Sequence, residues 1–595
     1  MSPPFLTYKS TEAYTFAPHE ASASGKTDAT SFVLKGVLLV APKTRSGGVA
    51  IPMSSFDVIF VLPYPFSDHP SFPEGILRKA LEVEGYRVGI IETPFWQEKE
   101  SFEALGKPRL CFAIISGPVD SVVLNYTSAR KRRREDLYQL GGKAYFGGYP
   151  HSIKYKIRPD RTTIVFTNRI KERFHDVPIV IGGLEASLRC FAHYDFQQDK
   201  IRRSILLDSK ADLLVTGMGE KQLIGIARAI ESGSASQLLR LPGTASITKE
   251  LPEQGRFVEL PAFETILEDR RKLLEAHLIL ERGLLEGKGV AQKHGDRYVV
   301  QNAAQNYSPS DLEHIYDQGY TRMHLKGSSY SPALRMNLFS ITSHRGCGGA
   351  CSFCSIQAHQ GKKVISRSME SVIKEIHGLR LHPEWKGYIS DIGGATPEMY
   401  GNDCATEACL KPSCLYPERC RMFSPGRRYL DLLRECRKLP EVKKIFLGSG
   451  IRHDVLLNNP ELLEEILLYH SGRFLRIAPE HTEDSVLSLM RKPSFKALES
   501  FVSLFNSINR KLKRKIGLAP YLIVGHPGEK RADVIEMKKK LKSLGIRSTD
   551  VQIFTPTPGT LSTAIYYAEC DLSFKAIPVE KAVGELLERK KLLTS

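Results

Sequence analysis

Three cysteines in one short, glycine-rich segment are the residues of this sequence whose chemistry is easiest to infer. Cys347, Cys351 and Cys354 have the spacing C-x3-C-x2-C. Three thiolates from one loop can wrap around one corner of a cubic cluster, and thiolates are the ligands that iron–sulfur clusters require. A 4Fe-4S cluster held in this way keeps one iron without a protein ligand, and that iron is a binding site.

The alternative for these three cysteines is zinc or a group of buried thiols. Structural zinc prefers four protein ligands, usually arranged in C-x2-C pairs. No cysteine or histidine directly after Cys354 completes such a set, although His359 is near in sequence. We therefore expect an iron–sulfur cluster.

A second group of cysteines follows in Cys404-x4-Cys409-x4-Cys414-x5-Cys420. Prolines at 412 and 417 predict an irregular loop. Four thiols can supply a complete set for zinc or for an auxiliary iron–sulfur cluster. The spacings match no common zinc ribbon, so the metal stays open, as do free thiols or a redox pair.

The composition is that of a globular protein with an excess of positive charge. Of the 595 residues, 42% are hydrophobic and 25% are charged, which excludes a disordered, collagenous or coiled-coil chain. The formal net charge is +18, which favours an anionic partner such as RNA, DNA, an acidic protein or a phosphorylated cofactor. Two basic runs, at 130–134 and 510–515, suit phosphate contacts, and solvated surface charge is the alternative.

The sequence predicts a cytoplasmic protein without a membrane segment. No apolar run reaches the roughly 18 residues that a bilayer requires, and the N-terminus lacks the pattern of a secretory signal. Seven of the eleven cysteines lie between 347 and 420, and such clustering indicates metal or cluster ligation rather than disulfides.

Short apolar runs alternate with helical patterns, which predicts an α/β protein with parallel sheets. We expect a poorly ordered lead over 1–53, a Rossmann-like domain over 54–235, a helical linker segment over 236–331, a barrel over 332–570 and a tail or helix over 571–595. The predicted strands of the Rossmann-like domain are 57–62, 86–91, 113–115, 163–166, 178–181 and 213–216.

The fourth and longest region, 332–570, predicts a partial (β/α)6 barrel. Its strand candidates, separated by helical patterns, are 336–342, 387–391, 444–447, 474–478, 518–524 and 551–554. The reactive face of such a barrel is formed by the C-terminal ends of its strands. The cysteine motif and several polar motifs follow those ends.

The motif C-x3-C-x-aromatic-C, with Phe353 in the aromatic position, resembles the signature of radical S-adenosylmethionine (SAM) enzymes. The resemblance implies that the open iron chelates the amino and carboxylate groups of SAM. It also implies reductive cleavage of SAM to a 5'-deoxyadenosyl radical that abstracts hydrogen from a substrate. A reducing electron donor of the flavodoxin or ferredoxin type is then required.

The other barrel motifs resemble the same superfamily. The pair Gly393 and Gly394 resembles the glycines that meet the methionyl amino group, where a missing side chain allows close approach. By the same resemblance, Arg452 could pair with a carboxylate of SAM or substrate, and Glu480 could accept hydrogen bonds from the ribose. A tight turn or a local ion pair is the alternative at each position.

The combination most resembles the YgiQ-type radical SAM proteins over about 54–570, through Asp68-His-Pro-Ser-Phe72, Arg345-Gly-Cys347, Ala478-Pro-Glu-His481 and Gly525-His-Pro-Gly-Glu529. We expect hydrogen abstraction from an unknown substrate, for which RNA is one candidate. The alternatives are a tRNA-modifying enzyme similar to methylthiotransferases, or a nucleic-acid-binding protein with structural Fe-S or zinc sites.

The Rossmann-like domain also resembles the cobalamin-binding domains of corrinoid radical enzymes, in the glycine-rich segments 180–186 and 215–220. Domains that ligate cobalt by histidine use D-x-H-x2-G, whereas here Asp68 and His69 are adjacent and Gly75 is displaced. The departure argues against cobalt ligation. Bound cobalamin is left as an alternative to a substrate-binding or purely structural domain.

Overall fold

The computed structural model describes residues 56–148, 152, 155–251, 255–325, 330–404, 409–424, 426–548 and 550–594, together with the backbone of the strand β1 at Val37–Leu38. The lead predicted over 1–53 lies, apart from that strand, outside the described residues. Among the described residues, none of the helices is both long and apolar enough to cross a membrane.

A mixed sheet of ten strands forms the N-terminal half, with order β1-β3-β2-β4-β5-β8-β9-β12-β11-β10, and a separate hairpin is formed by β6 and β7. After β1, these strands are β2 Val58–Leu62, β3 Val88–Glu92, β4 Cys111–Ile115, β5 Ile179–Gly182, β6 His193–Asp195, β7 Lys200–Arg202, β8 Leu213–Val215, β9 Thr244–Thr248, β10 Phe257–Leu260, β11 Gly289–His294 and β12 Arg297–Gln301. From β3 to β8 the neighbours are parallel.

Ten helices accompany this sheet. They are α1 Pro73–Val83, α2 Ser121–Asn125, α3 Thr162–Lys171, α4 Leu184–Ser187, α5 Ile205–Ser209, α6 Glu220–Glu231, α7 Ala235–Arg240, α8 Phe263–Glu268, α9 Arg271–Leu285 and α10 Pro309–Tyr316. The parallel strands β2 to β5 are buried along their length, which explains their continuous apolar runs.

Two sequence predictions fail in this half. The run 163–166 is rich in β-branched residues but lies inside α3, whose first amides are bound by the Ser121 hydroxyl (3.2 Å) and the Glu185 carboxylate (3.0 Å). Because distant side chains satisfy these helix-terminal amides, tertiary contacts override the local β propensity. The segment 236–331, predicted as a helical linker, supplies the four strands β9 to β12. These short strands were missed because helices lie between them in the sequence and dominate its pattern.

The C-terminal half contains strand segments at each of the six predicted positions, in parallel ladders β13-β17, β16-β18 and β19-β20-β21. The strands are β13 Ser340–Thr342, β14 His344–Arg345, β15 Ile365–Ser366, β16 Tyr388–Ile389, β17 Asp391–Gly393, β18 Lys444–Ile445, β19 Phe474–Glu480, β20 Gly517–Val524 and β21 Asp550–Ile553. The pair β14-β15 is antiparallel and follows the first strand.

Helices separate these strands as the sequence predicts. They are α11 Pro332–Asn337, α12 Ser355–Gln360, α13 Met369–Leu379, α14 Arg427–Lys438, α15 His453–Leu456, α16 Pro460–Glu465 (continued by a π-turn at Ile466–His470), α17 Asp484–Leu489, α18 Phe495–Lys511, α19 Arg531–Ser543, α20 Leu561–Ala568 and α21 Val583–Thr594. The Asn459–Pro460 pair is a sequence signal for a helix start, and Asn459 does cap α16, since its side chain accepts a hydrogen bond from the Leu462 amide at 3.0 Å.

One hydrophobic cluster spans the two halves, although each half also has a cluster of its own. Residues of α20, including Ile565, pack in the same buried cluster as Phe166 and Leu274 of the N-terminal half, and α20 lies against α9. A buried ion pair joins Arg345 at the end of β14 to Glu220 at the start of α6, at 2.7 Å. The reactive end of the barrel is therefore held in a fixed position against the sheet.

Candidate active site

The three motif cysteines lie on one loop between β14 and α12. Cys347 comes two residues after β14, and α12 begins directly after Cys354. Gly346 has φ +84°, and a side chain there would collide with the backbone oxygen of Lys363. Only glycine allows this tight exit from the strand.

The first part of the loop is fastened by the second cysteine group. The Ser413 hydroxyl donates to the carbonyl oxygens of Gly348 (3.2 Å) and Gly349 (2.8 Å), and the Cys414 amide donates to that of Gly348 at 2.7 Å. The Cys414 sulfur leaves no room for a side chain at Gly348, where a Cβ would lie 3.0 Å away. Hence the two cysteine groups are in direct contact.

The last part of the loop is fastened by Ser352. Its amide donates to the carbonyl of Met490 at 3.0 Å, and its hydroxyl donates to that of Leu489 at 2.7 Å. The same hydroxyl lies 2.7 Å from the hydroxyl of Ser562, which in turn lies 2.7 Å from Nε2 of His526. Ser352, Met490, Ser562 and His526 are buried and Leu489 is half-buried, so the loop is held mainly by contacts away from solvent.

Two donors are directed at the cysteine sulfurs. Arg452 Nη1 lies 3.3 Å from Cys351 Sγ, and the Gly349 amide lies 3.4 Å from Cys347 Sγ. Asp454 orients the Arg452 guanidinium, with Nη2 to Oδ2 at 2.8 Å. This geometry suits anionic thiolates or the sulfurs of a bound cluster.

Burial dominates the electrostatics of the loop. Burial and the neighbouring Cys351 thiol raise the pKa of Cys347 to about 11, and burial raises the pKa of Cys354 further. Burial also raises the pKa of Glu398, which accepts a hydrogen bond from the Arg452 amide, to about 7. Burial thus favours the protonated form of the Cys347 and Cys354 thiols, and metal binding has to displace those protons.

Glu480 occupies an unusual position at the end of β19. Its φ of +68° lies in the left-handed region, and the ladder to β20 shifts register between Ile477 and Glu480. It is buried, its pKa is raised by burial, and no side chain of the described residues donates a hydrogen bond to its carboxylate. Strained residues of this kind concentrate at functional sites.

The predicted glycine pair and Phe353 have structural contacts of their own. A Cβ at Gly394 would lie 2.6 Å from the ring and the carbonyl oxygen of His344, so the close approach of these two segments requires glycine. Gly393 ends β17 beside Pro397. Phe353 meets the ring of His526 edge to face, with centroids 6.4 Å apart. Their predicted contacts with a cofactor stay predictions.

The second cysteine group surrounds Cys414, whose pKa responds to the charges of Lys362, Cys420, Cys409 and Cys404. Lys362 Nζ lies 3.1 Å from Cys409 Sγ, and this hydrogen bond lowers the pKa of Cys409. Among the described residues, no three His, Cys, Asp or Glu side chains converge on a point where a single metal ion could be held. This holds for the first cysteine group as well as for the second.

A cavity of about 160 Å³ lies between the sheet and the cysteine loop. Its walls are the glycine-rich ends of β4, β5 and β8, at residues 117–118, 182–184 and 217–219, and the facing side of α12. His359 of α12 lies 3.2 Å from the Ser187 hydroxyl and lines this cavity, so it does not complete a zinc set with the cysteines.

The Asp68-His69 pair is bound by neighbouring residues, although Oδ1 of Asp68 is buried without a hydrogen-bond partner among the described residues. His69 Nε2 lies 2.9 Å from Arg322 Nη1, and Nδ1 accepts the Ser71 amide at 3.0 Å. Asp68 accepts from the amide and hydroxyl of Thr321. The histidine is completely buried, so it does not fit an axial cobalt ligand.

Sequence reasoning missed the residues that hold the loop, namely Ser352, Ser413, Asp454 and Ser562. Asp454 stands two positions after Arg452, and a carboxylate so close to a predicted functional arginine is a usable signal. The serines carry no such signal, because Ser413 is 64 residues from its partner Gly349, and Ser562 is 210 residues from its partner Ser352.

Comparison with known proteins matches most of the chain to one class. The radical SAM N-terminal model matches residues 41–340, and the radical SAM superfamily model matches residues 341–541. A UPF0313 protein of Geobacter sulfurreducens is 41% identical over 560 residues, which cover 92% of this chain and 90% of the relative. A UPF0313 protein of Clostridium botulinum is 41% identical over 525 residues, which cover 86% and 80%.

Two solved structures are similar to this chain at low identity. The radical SAM methyltransferase TsrM from Kitasatospora setae, with cobalamin and a 4Fe-4S cluster bound, has a TM-score of 0.49 and 17% identity, covering 86% of this chain and 74% of that chain. The cobalamin-dependent SAM radical enzyme OxsB has a TM-score of 0.46 and 10% identity, covering 90% of this chain and 56% of that chain.

Proposed function

Since the chain belongs to the UPF0313 (YgiQ-type) family of radical SAM proteins, an enzyme class, we propose that it holds a 4Fe-4S cluster through Cys347, Cys351 and Cys354 and uses it to cleave SAM. When bound, the cluster supplies the electron that breaks the sulfonium C–S bond, which gives methionine and a 5'-deoxyadenosyl radical able to abstract a substrate hydrogen. The observation that carries this proposal is the fastened three-thiol loop at the reactive end of the barrel.

The donor set fits such a cluster better than it fits a single ion. The three thiols come from one loop, and no three ligand side chains of the described residues meet at one point. Thiolates on different irons of a cubane stand farther apart than ligands on one ion. The directed contacts from Arg452 and the Gly349 amide would stabilise negative charge on the sulfurs.

The roles of the other rim residues follow from their positions. Glu480 offers a buried carboxylate without a hydrogen-bond donor from the described residues, and it would accept hydrogen bonds from the two ribose hydroxyls of SAM. Arg452 would hold the cluster loop and attract the SAM carboxylate. Gly393, Gly394 and Phe353 would form the surface on which SAM lies. An external flavodoxin- or ferredoxin-type protein would supply the electron.

The test is anaerobic reconstitution with iron and sulfide, followed by dithionite, SAM and chromatographic detection of 5'-deoxyadenosine. The control is the variant Cys347→Ala, Cys351→Ala, Cys354→Ala. Deoxyadenosine that requires the intact cysteines supports the proposal. If no cluster forms on the wild-type protein, or if the variant cleaves SAM equally well, the proposal is wrong.

We also propose that Cys404, Cys409, Cys414 and Cys420 hold a second metal centre, iron–sulfur or zinc. All four are partly exposed, and the charges of the other three act on Cys414. Cys414 and Cys420 pack with Cys347 on one apolar cluster that contains Met399 and Phe423. A centre here would brace the first loop through Ser413 and Cys414.

The triple variant described above isolates this second centre, because the four later cysteines are then the one remaining cysteine group, and the other four cysteines of the chain are scattered and buried. Bound iron with sulfide, or bound zinc, in the triple variant supports the proposal and identifies the metal. Loss of that metal on adding Cys409→Ala and Cys414→Ala is the matched control. Absence of both metals from the triple variant would contradict the second centre without affecting the first.

The structure supports a substrate-binding or structural domain more than a cobalt-ligating one, since His69 is occupied by Arg322 and Ser71. We propose that the cavity between the sheet and α12 admits part of the substrate or a further cofactor. Bound cobalamin stays the lesser alternative there, and its test is the visible spectrum of the reconstituted protein after hydroxocobalamin is added and the excess removed.

A further inference from the structure

The two basic runs of the sequence lie in very different places in the fold. The run 130–134 belongs to a turn of the N-terminal half that touches the end of the last barrel strand. The Ser128 hydroxyl lies 2.5 Å from that of Thr555, two residues after β21. The run 510–515 joins α18 to the beginning of β20. Because β20 and β21 are parallel, this second run lies at the opposite end of the barrel, about 25 Å of strand away.

The turn at 126–134 is an ordered structure. The Thr127 amide donates to the Lys131 carbonyl at 2.8 Å, the Arg130 amide donates to the Thr127 carbonyl at 2.9 Å, and Tyr126 and Arg132 form an antiparallel bridge. Arg133 is partly buried, and its Nε donates to the carbonyl of Tyr126 at 3.1 Å. Arg133 thus holds the turn in place, and the turn exposes the other four cations to solvent.

The remaining cations, Arg130, Lys131, Arg132 and Arg134, are exposed. Within the described part of the chain, none of them forms an ion pair with a carboxylate. The nearby carboxylate of Asp160 accepts hydrogen bonds from the Tyr126 hydroxyl (2.6 Å) and the Asn125 amide (2.7 Å). Arg132 also hydrogen-bonds the Tyr126 hydroxyl, but four cations without a carboxylate partner among the described residues still create a strong local positive potential on this turn.

A line of rings connects this turn to the cysteine loop. Arg130 acts electrostatically on Tyr566 of α20, whose ring lies 5.8 Å from that of Phe554. Phe554 lies 5.2 Å from His526, which meets Phe353 of the cysteine motif at 6.4 Å. An anion held by the turn would therefore lie at the edge of the reaction centre.

We propose that this turn binds the phosphate backbone of a nucleic-acid substrate and guides it into the barrel. The inference rests on the proposed function, because it assigns a substrate class to the same reactive rim. Three of the four cations are arginines, whose planar forks match phosphate oxygens. Several cations in adjacent positions match the closely spaced charges of a nucleic-acid strand better than an isolated carboxylate.

The experiment measures binding by fluorescence anisotropy, with a labelled 20-nucleotide RNA of mixed sequence and its DNA counterpart, between 50 and 300 mM salt. The test variant is Arg130→Gln, Lys131→Gln, Arg132→Gln, Arg134→Gln, which keeps Arg133. The matched control is Arg510→Gln, Lys513→Gln, Arg514→Gln, Lys515→Gln, which removes the same charge from the opposite end of the barrel. Lys511 is kept because it pairs with Glu464 at 3.0 Å.

We expect the turn variant to bind at least about tenfold more weakly at 100 mM salt, with a salt slope reduced by up to about 3, because each phosphate contact contributes about 0.7 to the slope. The control variant should change affinity by less than about threefold. Equal losses in the two variants, equal affinity of the wild type for poly-glutamate, or no nucleic-acid binding at 50 mM salt would overturn the inference. ATP should compete only weakly, and strong competition would show a mononucleotide site instead.

The 5'-deoxyadenosine assay without nucleic acid separates this inference from the proposed function. The turn variant should cleave SAM at the uncoupled rate of the wild type, since the turn does not contact the cysteine loop. Nucleic-acid binding without SAM cleavage by the wild type would contradict the proposed function alone. SAM cleavage without nucleic-acid binding would contradict the inference alone.

Discussion

The hydroxyl groups of Ser352 and Ser562 lie 2.7 Å apart, although 210 residues separate them in the chain. Ser352 stands between two motif cysteines, and Ser562 stands in the first turn of α20. Through this contact the cysteine loop is attached to the helix that packs against the N-terminal half. The stability of the loop and the packing of the two halves are therefore linked.

Ser562→Ala should weaken cluster retention. The substitution removes the partner of both Ser352 and His526 Nε2, and a lost buried hydrogen bond costs about 1–3 kcal/mol. Iron that remains bound after desalting should fall relative to the wild type, and the thermal midpoint should decrease. Ser543→Ala, which removes an exposed hydroxyl from α19, is the control. Equal iron retention by both variants would show that the contact is dispensable.

Arg452→Gln should lower both the reduction potential of the cluster and the rate of SAM cleavage. The guanidinium lies 3.3 Å from Cys351 Sγ, and a positive charge there favours the more negative, reduced cluster. We expect a rate at least about tenfold lower, since groups that support metal ligands typically contribute that much. The potential is measured by a redox titration followed by EPR.

The control for this prediction is Arg473→Gln, which removes an exposed arginine at the other end of β19. An unchanged potential in Arg452→Gln, together with a normal rate, would mean that the guanidinium acts only in the structural pair with Asp454.

The sequence was sufficient to predict the elements that carry the reaction centre. Strands appear at all six predicted barrel positions, and the cysteine loop follows the first of them, because each strand is a short apolar run closed by glycine or a polar turn. The helix cap at Asn459 was also predictable, since its partner amide is three residues away. Signals of this kind depend on residues close together in sequence, so the structure of the folded chain follows them.

What the sequence could not predict depends on contacts between distant residues. The run at 163–166 favours a strand by composition, but Ser121 and Glu185 bind its amides and make it a helix. The pairing of Ser352 with Ser562, and of Ser128 with Thr555, needs the two halves to be packed together first. The strands of 236–331 were missed because they join a sheet whose other strands lie outside that segment.

Glu480→Gln should weaken SAM binding without destabilising the fold. The carboxylate is buried and receives no hydrogen bond from the described residues, so within this part of the chain its ionised form is favoured only through space, by the charges of Lys492 and Arg452. We expect the Kd for SAM to rise about tenfold, because one or two charge-assisted hydrogen bonds to the ribose are lost. Equilibrium dialysis on the reconstituted protein measures it.

For comparison, Glu483→Gln changes a carboxylate three residues away that pairs with Lys540 at 3.0 Å. It should leave the Kd unchanged and slightly lower the thermal midpoint. If Glu480→Gln binds SAM as tightly as the wild type but melts at a lower temperature, Glu480 is structural and its assignment to the ribose is wrong.

The thermal stability should depend on pH through Glu74 in the first turn of α1. This side chain is completely buried, and burial raises its pKa to about 8; it accepts hydrogen bonds from the Tyr64 hydroxyl (3.0 Å) and the Ser67 amide (3.3 Å). Because the folded pKa lies above the unfolded value of 4.5, the native state binds the extra proton between these two values. The stabilisation is complete below about pH 4.5 and is lost as the pH rises toward 8.

Glu74→Gln removes this titration while keeping the shape of the side chain. Between pH 5.5 and pH 8, the variant should therefore lose less stability than the wild type, by about 1–2 kcal/mol in the free energy of unfolding. The measurement is a pair of urea and thermal unfolding curves at each pH, with Glu84→Gln, an exposed carboxylate just after the same helix, as the control. Parallel pH profiles for the wild type and Glu74→Gln would show that the buried carboxyl does not exchange its proton in this range.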